Sequence, residues 1–493
     1  MTPPMGLNWS DRPDRRRRSR ITARLRAVLP PPAPGSRGSK TPLRSGPARS
    51  GPKPEAVARE LYGRPGLAGL AWLDSGAGGH RLYLRPLATL TVKTGRATVA
   101  GPGGQISFRA GAFELLDAVF EVCGHTTGAV LAGFFGYELA HEIESLPSPP
   151  PDDLGLPDLH LGLFDAGLLW DGRGWTVEAT DAWGGPAFSA IEAERLLAAA
   201  RRLREPEIPR GRLAGGPVTS HPNRHGFEAA VERIRERIAL GEIYQANLCR
   251  RLEAPLPPEA VWPLYLRLRE ASPASHGALL DLGGNRTILS VSPELFLAVR
   301  GQEVETRPIK GTRPRGANPR EDRALARELA ESTKDRAELT MIVDVARNDL
   351  GRVCEPGSVE VPVHAELVSL PTVHHTVSTV RGRLLPGTRP ADLLRASFPP
   401  ASITGAPKIR AMSILAGEEE LRRGPAMGAF GWISLAGDLE LAVAIRTAVC
   451  ARDRVAYHAG CGIVADSEPE LEFEESAVKA KAFLTALGAA EAT

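Results

Sequence analysis

Cysteine is scarce in this chain, and long hydrophobic runs are missing. The five cysteines are scattered over 493 residues and form no CxxC pair. They therefore provide neither a disulfide framework nor a zinc site, and they favour a reducing compartment. No uncharged apolar run reaches the roughly 18 residues that a membrane helix needs. We therefore expect a cytoplasmic protein that does not associate with a membrane.

The sequence also lacks the common signatures of nucleotide-binding proteins and hydrolases. It contains no Walker loop, GxGxxG fingerprint, GxSxG elbow or HExxH motif. Each of these motifs places particular groups at a fixed spacing: the backbone N–H groups that bind phosphate, a nucleophilic serine, or the histidines that bind zinc. The nucleotide-binding, serine-hydrolase and zinc-protease classes therefore have no support.

Charge is distributed unevenly along the chain. Residues 1–53 contain 13 Lys and Arg residues against two acids, although the net charge of the whole chain is only +3. The remainder is acidic, so nucleic-acid binding by the folded part is not indicated. We expect residues 1–53 to form a disordered, basic extension rich in proline and arginine. The alternative is a contact between this extension and a nucleic acid or another polyanion.

The rest of the chain divides into two segments on either side of a proline-containing linker. We expect an N-terminal domain over 54–205 and a second domain over 220–490. Strand-like runs followed by helices, without strict alternation, favour an α+β fold with largely antiparallel sheet. The spacing of apolar residues predicts a long helical stretch over 319–350 and a final helix that Ser467 caps and that ends near Leu487.

The final helix carries a line of charged residues. Glu468, Glu472, Glu475 and Lys479 are spaced four, three and four residues apart, so they share one face, and Leu471 and Val478 belong to the adjoining apolar stripe. Acids on one face repel each other unless a cation joins them, and Mg²⁺ prefers carboxylate oxygens. A solvated acidic face is the alternative, and the same two interpretations apply to Asp335 and Glu338 on the earlier helix.

Two residues near the middle of the chain have side chains suited to group transfer. Lys310 lies in a glycine-bearing turn, and a lysine held away from water can act as an amine nucleophile. Glu294 stands between apolar neighbours, where burial would raise its pKa towards use as a general acid. Both residue types are more often simply exposed to solvent.

Three further features could bind an anionic ligand. The turn 402–408 could present free N–H groups to an anion, and Gly460 and Gly462 would let the backbone approach a ligand closely. We expect Arg446 to lie within an otherwise apolar strand over 442–449, where its buried guanidinium needs a partner. That partner could be a ligand carboxylate or an internal salt bridge.

Taken together, these segments resemble the chorismate-utilising enzymes, and within them component I of aminodeoxychorismate synthase. The matching stretches are IYQANL (243–248), SPELF (292–296), PIKGTRPRG (308–316), AELTMIVDVARNDLGR (337–352), FPPASITGAPK (398–408), AIRTAV (444–449) and GCGIVADSEPELEFEESAVKA (460–480). Weaker matches at 71–76 and 133–140 extend the likeness into the first segment. Lys310 and the turn 402–408 point to this member, since anthranilate synthase usually has alanine at the position of Lys310.

The resemblance implies a large α+β sandwich of two mainly antiparallel sheets between helical layers, with pseudo-duplicated halves. It implies that Glu338 and Glu475 bind Mg²⁺, with Asp335 and Glu472 around them. Glu294 would protonate the departing hydroxyl of chorismate, Lys310 would attack the ring, and His375 would lie near that hydroxyl. The residues implied in substrate binding are Gly311, Thr312, Ser402, Arg446, Gly460, Gly462 and Lys479.

The resemblance also implies that ammonia comes from free solution or from a separate glutamine amidotransferase subunit. Some positions depart from the family pattern: Ala426 replaces a substrate-contacting tyrosine, and Cys461 replaces glycine or alanine. Three alternatives therefore stay open: anthranilate synthase component I, an aminodeoxyisochorismate synthase, and a non-catalytic regulator that binds chorismate or tryptophan.

Overall fold

The computed structural model describes residues 15–29, 32–33, 38–42, 51–62, 69–75, 79–124, 126, 128–183, 190–202, 208 and 210–491. Within these ranges, no helix combines the length and the apolar character that crossing a membrane requires. The helices are α1 (Arg15–Val28), α2 (Pro54–Leu61), α3 (Ala112–Cys123), α4 (Ala190–Ala200), α5 (Arg224–Ala239), α6 (Val261–Ala271), α7 (Pro319–Glu331), α8 (Thr333–Gly351), α9 (Pro390–Ser397), α10 (Lys408–Glu418) and α11 (Pro469–Leu487).

In the described part of the chain, twelve strands form the first sheet. In spatial order they are β1 (Gly38–Pro42), β10 (Trp175–Thr180), β9 (Ala166–Trp170), β3 (Gly79–Tyr83), β2 (Ala71–Ser75), β13 (His276–Asp281), β14 (Thr287–Ser292), β23 (Thr447–Ala451), β24 (Arg454–Ile463), β12 (Gln245–Pro255) and β11 (Thr219–His221), with β20 (Gly405–Ala406) paired to β12. Its neighbouring strands run antiparallel.

The second sheet also contains twelve strands among the residues that the structure describes. Their order is β17 (Ile309–Pro314), β19 (Val373–Arg383), β16 (Glu303–Arg307), β15 (Leu295–Arg300), β22 (Leu439–Val443), β21 (Ala429–Ser434), β7 (Val130–Phe135), β8 (Leu159–Phe164), β4 (Ala88–Lys93), β5 (Arg96–Gly101) and β6 (Gly104–Arg109), with β18 (Glu360–Ser369) paired to β19. This sheet is antiparallel as well.

The sheets pack face to face through one buried cluster, to which Leu73 and Val449 of the first sheet and Phe134 and Phe430 of the second belong. Burying the alternating inward side chains of two sheets against each other removes apolar surface from water. Helices α2, α4, α6 and α11 cover the outer face of the first sheet, and α1, α3, α8 and α9 cover that of the second. The structure confirms the α+β sandwich.

Both sheets are built from both halves of the chain. Trp72 of β2 lies opposite Leu279 of β13, and Gly133 of β7 lies opposite Gly431 of β21. Each half therefore contributes strands to each sheet, as pseudo-duplicated halves would. The segments 54–205 and 220–490 are consequently not two separate structural layers but interleaved parts of one sandwich.

The expectation of disorder over 1–53 is wrong for helix α1 and strand β1, whereas residues 1–14, 30–31, 34–37 and 43–50 lie outside the described residues. Ile21, Leu25 and Val28 of α1 are buried in the same cluster as α3. Their spacing of four and three residues places them on one helical face, which the intervening arginines do not interrupt. Arg17 pairs with Glu114 of α3 at 3.1 Å. Part of the basic charge therefore serves to dock this helix.

The final helix begins at Pro469 with Glu468 as its N-cap, so the predicted cap at Ser467 is wrong. The predicted apolar stripe is also wrong, because Leu471 and Val478 are 61% and 70% exposed. Glu472 on the charged face is buried instead. The helix therefore turns polar side chains inward, and only a polar site beneath it makes that arrangement favourable. The predicted 319–350 stretch is divided at Ser332, which caps α8 by accepting a hydrogen bond from the Asp335 N–H.

Candidate active site

The site lies where the chain crosses between the two sheets. Glu294 connects β14 of the first sheet to β15 of the second, and Arg446 connects β22 of the second to β23 of the first. The predicted strand through Arg446 is therefore interrupted, and Arg446 itself has φ of 51°. These crossovers bring side chains from both sheets to one place, with α8 and α11 above them.

Lys310 reaches the first candidate metal ligand. The Nζ atom of Lys310 on β17 lies 2.8 Å from Oε1 of Glu338 on α8. Gln245 at the start of β12 donates its amide N–H to the same carboxylate oxygen. The Oε1 atom of Gln245 is buried and has no hydrogen-bond partner among the described residues. An unpaired buried oxygen next to Glu338 indicates a position for a polar ligand.

Lys479 connects the second candidate metal ligand to the sheet below. Its Nζ lies 2.7 Å from Oε1 of Glu475 and donates to the Gly460 carbonyl at 2.9 Å. Partial burial would raise the pKa of Glu475, but Lys479, with Lys310 and Lys334 further away, holds that pKa below its usual range. Glu475 is therefore a carboxylate at neutral pH.

Glu294 is the buried acid of the site. Its side chain is only 4% exposed, and burial raises its pKa to about 7, against the opposing effects of the Ser402 hydroxyl, the Lys310 ammonium and the Ile309 N–H. At neutral pH a large share of Glu294 therefore carries the proton that a general acid must donate. Ser402 is itself buried beside it.

A histidine and an arginine line the neighbouring wall. The Nδ1 atom of His375 lies 2.9 Å from the hydroxyl of Thr312, across the β17–β19 pair. Burial, assisted by the charge of Arg446, lowers the pKa of His375 to about 4, so the ring is neutral at pH 7. Arg446 donates to the Ser272 hydroxyl at 3.3 Å and has no carboxylate partner within the described ranges. A ligand carboxylate would fit it, whereas the predicted alternative of an internal salt bridge is not found there.

Two glycines make these approaches sterically possible. A side chain at Gly462 would place its Cβ 2.5 Å from Oε1 of Glu338, and Gly311, with φ of 71°, would meet Leu329, Thr376 and Asp335 at 2.8–3.1 Å. Any larger residue at either position would displace the groups around Lys310 and Glu338. Asp335 pairs with Arg313 at 3.1 Å and so lies beside this turn.

The donor set fits a hard divalent cation. Glu338 and Glu475 both raise the pKa of Lys479, so both carboxylates lie near its ammonium group. Ligand atoms of Glu475, Glu472 and Cys461 lie within 4.8 Å of one another. Carboxylate oxygens are the ligands that Mg²⁺ prefers. The two lysines that pair with these glutamates show that the carboxylates attract positive charge. The Cys461 thiol is softer and donates to the Glu472 carbonyl instead.

All the predicted site residues on the second half thus lie in or next to this one region, although their roles stay predictions. Two participants were missed. Gln245 gave no signal of its own, because only strand pairing brings the start of β12 to Glu338. Lys408 was assigned to an anion-binding turn, but its ammonium is directed inward to protein acceptors.

These features define a class of protein. The family model for chorismate binding enzymes matches residues 69–485, and the chain belongs to this family.

Particular relatives are similar over most of their length. Anthranilate synthase component 1 of Streptomyces coelicolor is 40% identical over 379 residues, which is 73% of each chain. Aminodeoxychorismate synthase component 1 of Escherichia coli is 38% identical over 355 residues, covering 72% of this chain and 76% of that one. The crystal structure of anthranilate synthase component I from Streptococcus pneumoniae superposes with a TM-score of 0.70 at 31% identity, covering 82% of this chain and 92% of that one. The similarity includes both activities and does not choose between them.

Proposed function

We propose that the chain is component I of an aminodeoxychorismate synthase, which converts chorismate and ammonia into 4-amino-4-deoxychorismate for p-aminobenzoate and folate synthesis. The observation that carries this proposal is the contact of Lys310 with Glu338, next to the buried acid Glu294. An amine nucleophile beside a proton donor suits a displacement that proceeds in two steps.

The chemistry divides one difficult substitution into two easier ones. In the first step Lys310, having passed one ammonium proton to solvent, bonds through its neutral amine to carbon 2 of the ring, the double bond shifts, and the carbon 4 hydroxyl leaves as water with the proton of Glu294. In the second step ammonia bonds to carbon 4, the double bond shifts back, and the bond to Lys310 breaks. The proton lost by the new amine returns to the site, so that lysine and acid are regenerated.

The remaining side chains bind and orient the substrate. Arg446 and Lys479 would hold its carboxylates, and the neutral His375 would contact the departing hydroxyl. Glu338 and Glu475 would hold Mg²⁺, which when bound would fix the ring carboxylate and offset its charge. The ammonia would come from a separate glutamine amidotransferase subunit; the component 1 name of the Escherichia coli relative supports the existence of a second component.

A product assay tests the proposal. Purified protein is incubated with chorismate, Mg²⁺ and ammonium, and products are separated with and without a lyase that releases pyruvate from aminodeoxychorismate. We expect 4-amino-4-deoxychorismate alone, and p-aminobenzoate once the lyase is added. Anthranilate formed without the lyase would contradict the proposal.

The second candidate is anthranilate synthase component I. The 40% identity to the Streptomyces coelicolor enzyme favours it. Under that alternative Lys310 has no covalent role, so Lys310→Ala would retain turnover, and the same assay separates the two candidates.

A further inference from the structure

One loop carries the hydroxyl that lies beside the acid. Residues 398–407, here called the Ser402 loop, connect the end of α9 to the start of α10. Ser402 is 6% exposed, and its Oγ has no hydrogen-bond partner of good geometry in the described part of the chain. Its position beside Glu294 therefore depends on what holds the loop.

Lys408 holds both ends of this loop. Its Nζ donates to the carbonyl of Ser397, the last residue of α9, at 2.8 Å and to the carbonyl of Pro399 near the beginning of the loop at 2.9 Å, while Lys408 follows the end of the loop. The third donor goes to Oδ2 of Asp349 at 2.6 Å. A lysine ammonium has three N–H donors, and all three are used inside the protein.

The third contact connects the loop to a helix that serves the site. Asp349 lies on α8, which also carries Glu338. One buried ion pair therefore fixes the Ser402 loop relative to the helix that bears a candidate metal ligand. Arg352 lies 3.4 Å from the other oxygen of Asp349, so the carboxylate is held from two sides.

A small cavity separates this ion pair from the acid. It measures about 20 Å³, and Glu294, Ser402, Ser397 and Asp349 are among its lining residues. If the loop moved away from α8, this cavity would open towards Glu294 and water could enter. Burial is the largest influence on the ionisation of Glu294, so its proton affinity depends on keeping water out.

We propose that Lys408, paired with Asp349, is a positioning residue that keeps Ser402 against Glu294 and holds water away from that acid. The assignment of Glu294 as the acid rests on the proposed function. The charged groups facing Glu294 are Lys310 on β17 and, across the cavity, Asp349 on α8 with Lys408 and Arg352 behind it. A charge-neutral replacement of the pair leaves the net charge of these groups unchanged, and neither Asp349 nor Lys408 is among the named influences on the pKa of Glu294, so a shift reports mainly positioning and hydration.

The test measures the pKa of Glu294 directly, without turnover. Infrared difference spectra between the wild-type chain and Glu294→Gln identify the protonated carboxyl band, which is then followed over a pH titration. In the wild-type chain we expect the band to titrate near the pKa of about 7. In the double variant Lys408→Met/Asp349→Asn we expect the pKa to fall by roughly one unit or more, because entering water favours the ionised form.

A control variant and a fallback variant keep the test decisive. Arg251 is a buried arginine that pairs with Asp153 elsewhere, and Arg251→Met/Asp153→Asn should lower the melting temperature without moving the Glu294 titration. If the double variant at Lys408 does not fold, Lys408→Arg keeps the charge but changes the donor geometry, and a smaller downward shift is expected.

An unchanged titration in the folded variant would overturn the proposal. A chain that makes no aminodeoxychorismate, in contrast, would overturn the proposed function and leave this readout intact.

Discussion

Lys310 and Lys408 are buried to the same degree but have different surroundings. Their side chains are 11% and 12% exposed. Lys408 donates to one carboxylate and two carbonyls, whereas Lys310 contacts a single carboxylate, that of Glu338, within the described residues. A buried lysine with three acceptors is fixed, and a buried lysine with one acceptor can exchange that partner for a substrate. The number of partners, not the degree of burial, separates an anchoring lysine from a reactive one.

Elements of secondary structure account for this difference. Lys310 extends from a β17 strand bent at Gly311, so its tip faces the space between β17 and α8. Lys408 begins α10 immediately after a loop, and its ammonium donates back to the carbonyls of Ser397 and Pro399 at the other end of that loop. The comparison therefore predicts that changes at Lys310 affect chemistry and changes at Lys408 affect stability first.

Replacing Lys310 should have the largest effect. We expect Lys310→Ala to lower amination on the order of 1,000-fold or more, because the first bond-forming step loses its nucleophile. Product formation by chromatography gives the rate, and calorimetry should show that chorismate still binds. Turnover within about threefold of the wild type would remove this lysine from the mechanism.

Replacing Glu294 should have the next largest effect. Glu294→Gln cannot donate a proton, and a loss of roughly 100- to 10,000-fold is expected. Since Glu294 must be protonated to act, wild-type kcat/KM should be retained below the pKa of about 7 and fall as pH rises above it. The pH profile checks this sign, and a profile that instead rises through pH 7 would contradict the assignment.

The anchoring lysine should affect stability most. Lys408→Met leaves Asp349 buried without its main partner, so we expect the free energy of unfolding to fall by about 3–5 kcal/mol. Lys408→Met/Asp349→Asn should recover part of this loss. Lys310→Met, as the matched variant, should change stability far less. Chemical denaturation of the three variants makes the measurement, and equal losses at Lys310 and Lys408 would break the comparison.

Metal binding should show the smallest effect. Glu338→Gln and Glu475→Gln should each weaken Mg²⁺ binding by about tenfold or more, since each removes a charged oxygen ligand. Calorimetry without substrate measures this affinity. The exposed Glu474 next to Glu475 pairs with Arg224 and provides a control variant, Glu474→Gln, that should bind Mg²⁺ like the wild type.

The fold class could be predicted from the sequence, and so could the set of residues that meet in one region, whose roles stay predictions, but their surroundings could not. Motif order was enough to select Lys310, Glu338 and Glu475. The inward face of α11 was not predictable, because burial of Glu472 contradicts the amphipathic pattern and depends on a site built from distant strands. The docking of α1 was missed because a composition rich in arginine outweighed a short apolar spacing.

Long-range pairing explains the other differences. Gln245 meets Glu338, 93 residues further along the chain, only after β12 and α8 have packed. Arg446 was expected within a strand, whereas the chain crosses there from one sheet to the other. Local spacing carries no information on such crossovers, since the two flanking strands are both apolar.

Mass spectrometry tests the central claim, that Lys310 forms a covalent adduct with the substrate, most directly. The protein is incubated with chorismate and Mg²⁺ in the absence of ammonia, quenched rapidly and digested, and its peptides are sequenced. We predict an adduct with the mass of one chorismate less one water, attached to Lys310 and lost when ammonium is added. An adduct-free Lys310 in a preparation that converts chorismate when ammonium is supplied would contradict the account.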